Sequence, residues 1–244
     1  MNGPERNTQF TRALIELRIL VLNGAFESNV RLPETALAER LGISRTPLRQ
    51  AMDRLVAEGL LERIDTGGCR VASFTVEDIF DAIELRGVIE GTAARLAAER
   101  GMDERAAKRC RAILDELDDI VSCNKALDFK AYVRLNEEFH TLMARLAGSP
   151  VIAREVERIS RLPLASPSAF MQGQELIPDF VESLRRAQNQ HRAIFEAIEA
   201  REGARAEALM REHARLARKN FEYVMTENPS LARSVPGLAL VADA

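Results

Sequence analysis

Between Leu32 and Leu61 the chain reads LPETALAERLGISRTPLRQAMDRLVAEGLL, a stretch that restricts the possible folds more than any other. Leu37, Ala38 and Leu41 give a short helix its apolar side, and Gly42 supplies a turn. Leu48, Ala51, Met52, Leu55 and Val56 then recur at three- and four-residue steps, the buried stripe of a second helix. Ser44 stands at the expected N-cap, where its hydroxyl can accept from a free amide of the first turn. Pro47 falls within that turn, where a missing N–H costs little. The start of this helix offers Ser44, Arg45, Thr46 and Arg49 on one outer surface, with Pro47 among them. A polar, cationic helix start with its stripe turned inward suits the major groove of DNA. A helical hairpin with merely solvated arginines has the same periodicity.

The sequel separates these two readings. LERIDTGGCRVASF, Leu61–Phe74, is two short strand-like runs around Gly67-Gly68, the pattern of a β-hairpin wing. Upstream, Phe10–Leu22 carries Leu14, Leu17 and Val21 at helical spacing and ends at Asn23-Gly24. Candidate DNA contacts are therefore Arg31 and Thr35 at the entrance to the first helix, Ser44, Arg45, Thr46, Pro47 and Arg49, and Gly67 and Gly68 on the wing. The pattern LP…LA..LG.SRTP.R.A…L…GL resembles the GntR family of bacterial transcription regulators over roughly thirty residues. The resemblance implies a winged helix-turn-helix that binds a double-stranded DNA operator. Many members carry Arg where Thr35 stands, and a more basic wing than IDTGGCR, so Arg45 and Arg49 carry most of the expected contact. One winged helix reads few base pairs, which predicts a homodimer on a near-palindromic site.

Charge is no guide to this reading. The chain has a net charge of −3, and residues 1–73 hold ten arginines against nine acidic residues. DNA binding must depend on where the arginines sit. Cys69, Cys110 and Cys123 show no CxxC spacing and an odd count, which predicts reduced thiols. No run approaches the length of a membrane span, and Met1–Gln9 lacks the apolar core of a signal peptide, so a cytoplasmic protein without membrane contact is expected.

Ser73–Thr75 reads as a short linker, followed by a capping-box-like Thr75-Val76-Glu77-Asp78. The expected organisation is a winged helix-turn-helix domain over 1–74, an all-α bundle of six or seven helices over 75–227, and a frayed tail over 228–244. Predicted helices are Val76–Glu99, Asp103–Ser122, Leu127–Ala147, Pro150–Ser160, Pro178–Ala200 and Ala204–Met225. Arg161–Gln174 reads as a loop or broken helix. The fold class is mainly α.

The chain has three histidines. Asn136 and His140 in RLNEEFH are spaced i, i+4 and share a helix face. His191 lies 11 residues before Glu202 and His213 lies 11 after it, on two helices joined by a short connection. Short connections make antiparallel neighbours, and a rise of about 1.5 Å per residue brings both imidazoles to the same height. Three neutral imidazoles and one amide oxygen suit a divalent transition metal such as zinc or nickel. Histidines that only hydrogen-bond one another or the backbone are the alternative.

ELRGVIE, LNEEFH, QHRAIFEAIEA and LMREHARLA also resemble the FCD ligand-binding domain of the FadR-type branch. That resemblance implies metal bound inside the bundle by an acidic residue and three histidines. Here Asn136 stands at the usual Asp position, a neutral oxygen donor. The resemblance also implies that Arg86 meets the carboxylate of a small effector. The residues alone allow another role, an intrahelical pair with Glu90 at i+4. Asn220, seven residues after His213, is a further pocket candidate. Three function classes follow: a regulator, more readily a repressor, controlled by an organic acid near a metal; a metal-dependent enzyme; and a direct metal sensor. Against the enzyme, the sequence has no phosphate loop, nucleophile elbow or HExxH.

Overall fold

In a computed structural model, residues 3–122, 127–162, 165–169, 171, 178–226, 235 and 237–241 are described. The fold is mostly helical with one two-stranded antiparallel sheet. It forms two compact units, divided between Ile79 and Phe80, whereas the sequence predicts a boundary near residue 74.

The first unit contains α1 (Gly3–Leu22), α2 (Glu34–Leu41), α3 (Arg45–Ala57), β1 (Leu61–Arg63) and β2 (Cys69–Val71). Helix α1 begins before the predicted Phe10. Its Leu17 and Val21 meet Leu37, Leu48, Met52 and Leu55 in one core. Gly42 takes φ 60°, and its amide and that of Ile43 satisfy the last carbonyls of α2. This left-handed cap sets the turn into α3. β1 pairs with β2 in the register Leu61↔Val71, Glu62↔Arg70, Arg63↔Cys69, closed by Gly67 and Gly68 at positive φ.

The predicted frayed tail over 228–244 is corrected in its described part. Leu238–Leu240 is a 3-10 turn; Phe74 N–H donates to Leu240 O at 2.8 Å and Gly237 N–H to Leu22 O at 2.8 Å. Leu240 is fully buried in the first unit's core. The spacing of Val235, Leu238 and Leu240 is too short to register as a periodic element, yet each side chain has a buried place. The remainder of that segment lies outside the described residues, as do Cys123, Asn124 and part of the predicted loop Arg161–Gln174.

The second unit is built on α4 (Val76–Arg100), α5 (Glu104–Ser122), α6 (Phe129–Leu146), α7 (Pro150–Ser160), α8 (Pro178–Glu199) and α9 (Gly203–Thr226). These are six helices among the described residues, each within two residues of the predicted bounds. α5 packs on α6 and α8, α8 runs along α9, and α7 leans on α6. Asp128 and Ser149 cap α6 and α7 by accepting from Ala131 N–H and Ile152 N–H. Gly87 and Gly91 let α4 approach α9 closely: a Cβ on Gly91 would lie 3.0 Å from Glu207 O, and one on Gly87 3.0 Å from Ala214 Cβ. That approach brings Arg86 and Glu90, each one residue away, into the bundle interior.

Candidate metal centre and DNA-facing surface

The three histidines converge, as their heights predict. His140 comes from α6, His191 from α8 and His213 from α9, all buried, with ligand nitrogens within 4.8 Å of one another. His191 Nε2 lies 3.0 Å from His213 Nε2, which lies 3.3 Å from His140 Nε2. The other ring nitrogens are all committed. His140 Nδ1 meets Glu90 Oε1 at 3.0 Å, His191 Nδ1 meets Gln188 Oε1 at 3.1 Å, and His213 Nδ1 meets Gln190 Oε1 at 3.1 Å. The orientation of the Gln188 amide is fixed by its Nε2, which donates to Leu114 O and to Asp118 Oδ1 at 2.9 Å each. Where each Nδ1 donates to its oxygen, the three Nε2 lone pairs are left facing one another; the fixed Gln188 amide requires this of His191.

Facing lone pairs repel unless a cation or a shared proton lies between them. Burial first, and then neighbouring positive charge, hold the His191 and His213 pKa values well below the ordinary histidine value. A shared proton is therefore disfavoured, and neutral imidazole is the form that binds metal. Two nitrogens at metal-bond length are about 3.3 Å apart in a tetrahedron and about 3.0 Å apart in an octahedron. The observed separations fit both. The residues present fit a divalent transition metal.

Asn136 is buried on the same face of α6 as His140, and its Nδ2 donates to Ser168 Oγ at 3.3 Å. Its remaining oxygen is the amide donor the sequence assigns to metal. Asn136, Arg86, His213 and Asn220 line one cavity, together with Met171, Ser183 and Leu184. Its volume is about 20 Å³, close to that of a single water site. An organic acid of several heavy atoms needs part of this lining, which includes Pro167 and Met171 outside the helices, to move.

Of the two sequence readings of Arg86, the pair with Glu90 is present. Its Nη1 donates to Glu90 Oε2 at 3.0 Å and its Nη2 to Ala214 O at 3.3 Å, while Nε has no partner among the described residues. Burial alone would raise the Glu90 carboxyl. Arg86 and His140, by charge and by hydrogen bond, outweigh burial and hold it below the usual carboxylate range. Sequence reasoning considered Glu90 only as a helix-surface partner of Arg86 and missed its bond to His140. Gln188, three residues before His191, and Gln190 carried no signal beyond their place in QNQH.

On α3, Ser44, Arg45, Thr46 and Arg49 are exposed, as the sequence predicts. Pro47 is not: it is buried beside Leu48 on the inward face, so it packs the core. Ser44 holds the N-cap position, but its hydroxyl makes no capping bond, contrary to expectation. The backbone there is the extended conformation usual for an N-cap (φ −69°, ψ 157°), so the bond is missing at the side chain and not for want of backbone geometry. Arg45 Nη2 donates to Thr35 Oγ1 at 2.9 Å, and Arg49 Nε to Glu34 Oε2 at 2.7 Å. Arg31 lies over the wing, its Nε 3.5 Å from where a Gly68 Cβ would be. Arg31 is thus a neighbour of the Gly67-Gly68 tip, and Thr35 a neighbour of the start of α3. No described helix is long and apolar enough to cross a membrane.

Comparison with known proteins agrees with both halves. Residues 11–71 match the bacterial regulatory proteins of the gntR family, and residues 81–216 match the FCD domain. The HTH-type transcriptional repressor GlaR of Escherichia coli (strain K12) is 31% identical over 195 residues, 79% of this chain and 86% of that protein. The Glc operon transcriptional activator of the same strain is 26% identical over 239 residues, 91% of this chain and 92% of the relative. The solved structure of E. coli McbR/YncC shares the fold, with a TM-score of 0.61 at 19% identity, covering 93% of this chain and 99% of that one. With an exposed recognition helix, a wing and a histidine-centred helical unit in matching order, this chain belongs to the gntR family of DNA-binding transcription regulators, in the branch that carries an FCD domain.

Proposed function

We propose that this regulator is a homodimeric repressor whose hold on a near-palindromic operator is set by a small carboxylate bound beside a divalent metal. Residues 1–74 read DNA and 75–227 bind metal and effector. His140, His191 and His213 supply three Nε2 ligands and Asn136 an oxygen, with zinc or nickel as the natural ions. The observation that carries this reading is the three facing Nε2 atoms with every Nδ1 committed elsewhere. The metal would supply a positive centre with an open position for a carboxylate oxygen. Arg86, with its unpartnered Nε–H in the same cavity, adds a second contact for that anion.

The small cavity explains how binding would be felt. A guest larger than water must displace part of this lining, so it favours a different arrangement from the one described. The relatives' names include both repressor and activator, and the repressor sense rests on GlaR, the more similar of the two quoted. A regulator of this kind works in the cytoplasm, where its DNA is. A second reading, direct metal sensing, is favoured by that same volume of about 20 Å³, which suits an ion and its water better than an acid. The metal-dependent enzyme alternative draws no support from relatives that are regulators.

Metal analysis of protein purified without chelator, beside His191→Ala and His213→Ala, tests the site. One metal per wild-type chain and little in either variant is expected. Gel shifts with a panel of organic acids, with and without metal, then separate the two readings. Release or tightening on acid plus metal supports the effector model, and the same response to metal alone supports the sensor. Absence of metal, with both variants responding normally, would make the histidines structural.

A further inference from the structure

The carboxylate of Glu90 serves two masters. Its Oε2 accepts from Arg86 Nη1 and its Oε1 from His140 Nδ1, each at 3.0 Å. All three residues are 2–3% exposed, so water does not dilute the competition between the two donors. Arg86 and His140 want opposite things from a cation. The guanidinium also donates to Ala214 O, next in the chain to His213, and lines one cavity with His213. Its hold on Oε2 draws carboxylate charge away from His140 Nδ1–H, and so weakens the metal ligand. Glu90 works the other way, because a carboxylate on Nδ1–H makes the distal Nε2 a stronger donor. One carboxylate therefore sets both the strength of the metal ligand and the freedom of the anion-binding arginine.

We propose that Glu90 is a positioning residue that couples the anion site at Arg86 to the cation site at the histidines. When an anion takes over Arg86, the Glu90 carboxylate is released toward His140 and the divalent ion is held more tightly. By linkage the ion raises the affinity of the anion by the same factor. This rests on the reading above that the histidines hold a metal and Arg86 meets an anion. It adds how each site learns of the other.

The coupling predicts opposite signs for two neighbouring substitutions. Arg86→Met removes the competitor for Glu90, as an anion would, and should tighten metal binding. Glu90→Gln keeps an acceptor for His140 Nδ1–H but removes the charge, and should weaken it. A merely structural role would weaken binding in both. The measurement is zinc affinity of the full-length, chelator-stripped protein by competition with a chromogenic chelator, with folding checked by circular dichroism. Expected are a loss of about 10–100-fold for Glu90→Gln and a gain of up to about tenfold for Arg86→Met. Either variant could lose its fold through an unpaired buried charge, so the uncharged double variant Arg86→Met/Glu90→Gln is measured too. It should bind zinc like Glu90→Gln, showing that the arginine acts through the carboxylate. Wild-type binding with both single variants shifted the same way, or a double variant restored to wild-type affinity, overturns the coupling alone. A wild-type chain that binds no zinc overturns the metal reading and the coupling with it.

Discussion

Arg49 Nε lies 2.7 Å from Glu34 Oε2, an ion pair between the recognition helix and the helix before it. The arginine is exposed and the glutamate half-buried, and the contact raises the Arg49 pKa, chiefly by the hydrogen bond to Glu34. An arginine expected at the DNA surface is thus already paired in this structure. Exposed pairs of this kind contribute little to stability, so the charge balance matters more at the DNA surface than in the fold. If Arg49 meets DNA as proposed, Glu34→Gln removes an acidic group from that surface and frees the arginine. It should raise affinity for random-sequence DNA several-fold and steepen the salt dependence. Arg49→Ala should weaken operator binding by about 1–3 kcal/mol if it reads a guanine edge. Gel-shift titrations across a range of salt decide this. Equal binding by wild type and Glu34→Gln would mean that the pair is broken at no cost on DNA.

Ser44 gives a second test, because its cap position and its hydroxyl are separable. The hydroxyl makes no capping bond, whereas Asp128 and Ser149 accept from amides of their own helices. Asp128→Ala and Ser149→Ala should each cost about 1 kcal/mol, the usual loss of an N-cap. Ser44→Ala should change stability by less than about 0.5 kcal/mol and yet weaken DNA binding. Thermal unfolding and gel shifts of the three variants are compared. A Ser44→Ala protein as destabilised as Ser149→Ala would restore the hydroxyl to a capping role.

Periodicity made the helices legible, and antiparallel geometry made the histidine cluster legible, because both depend only on spacing along the chain. Arg45, Arg49, His140, His191 and His213 are found where spacing puts them. What spacing could not supply was partnership across the fold. Glu90 looked like a surface partner for Arg86 because nothing in ELRGVIE says which face of α4 is buried against α9. Pro47 was placed on the DNA surface for its position in a cationic run, although it stands four and eight residues before Ala51 and Leu55 and so falls on their buried face. Leu238 and Leu240 were invisible because a three-residue 3-10 turn is held by a distant core and not by its own pattern.

The two described cysteines should be chemically silent. Cys110 is fully buried, and burial first, with Glu199 adding to it, pushes its pKa up to about 12. Cys69 on β2 is 2% exposed, and burial raises its pKa too. The thiolate is the reactive form, so at neutral pH neither group offers an appreciable nucleophile. Native protein treated with iodoacetamide at pH 7.5 (about one unit below a free thiol's pKa) should leave both unmodified. Labelling should appear only when denaturant is added, as mass spectrometry of the peptides will read. Alkylation of Cys110 in the native protein would show that the core between α5 and its neighbours opens.

Gly91 ties the packing of α4 to the histidine cluster through Glu90. A Cβ there would meet Arg211 Cγ at 2.9 Å and Glu207 O at 3.0 Å, and the second of these is backbone that cannot turn aside. The helices must separate by several tenths of an ångström to admit it. Alanine also gains about 1 kcal/mol of helix propensity over glycine, so Gly91→Ala should come out near neutral or mildly destabilising. Gly91→Val has no such offset and should cost about 2–3 kcal/mol through overpacking. Gly203→Ala is the control, since its Cβ would meet only Arg95 and Glu99 side chains, which can move. Separation of α4 from α9 would also draw Glu90 away from His140. Gly91→Val should therefore lose metal affinity along with thermal stability, while Gly203→Ala loses neither. Thermal unfolding with and without zinc measures both effects. A Gly91→Val protein that melts at the wild-type temperature would show that α4 and α9 have room to spare, and one that melts lower but binds zinc normally would show that the crossing does not set the place of Glu90.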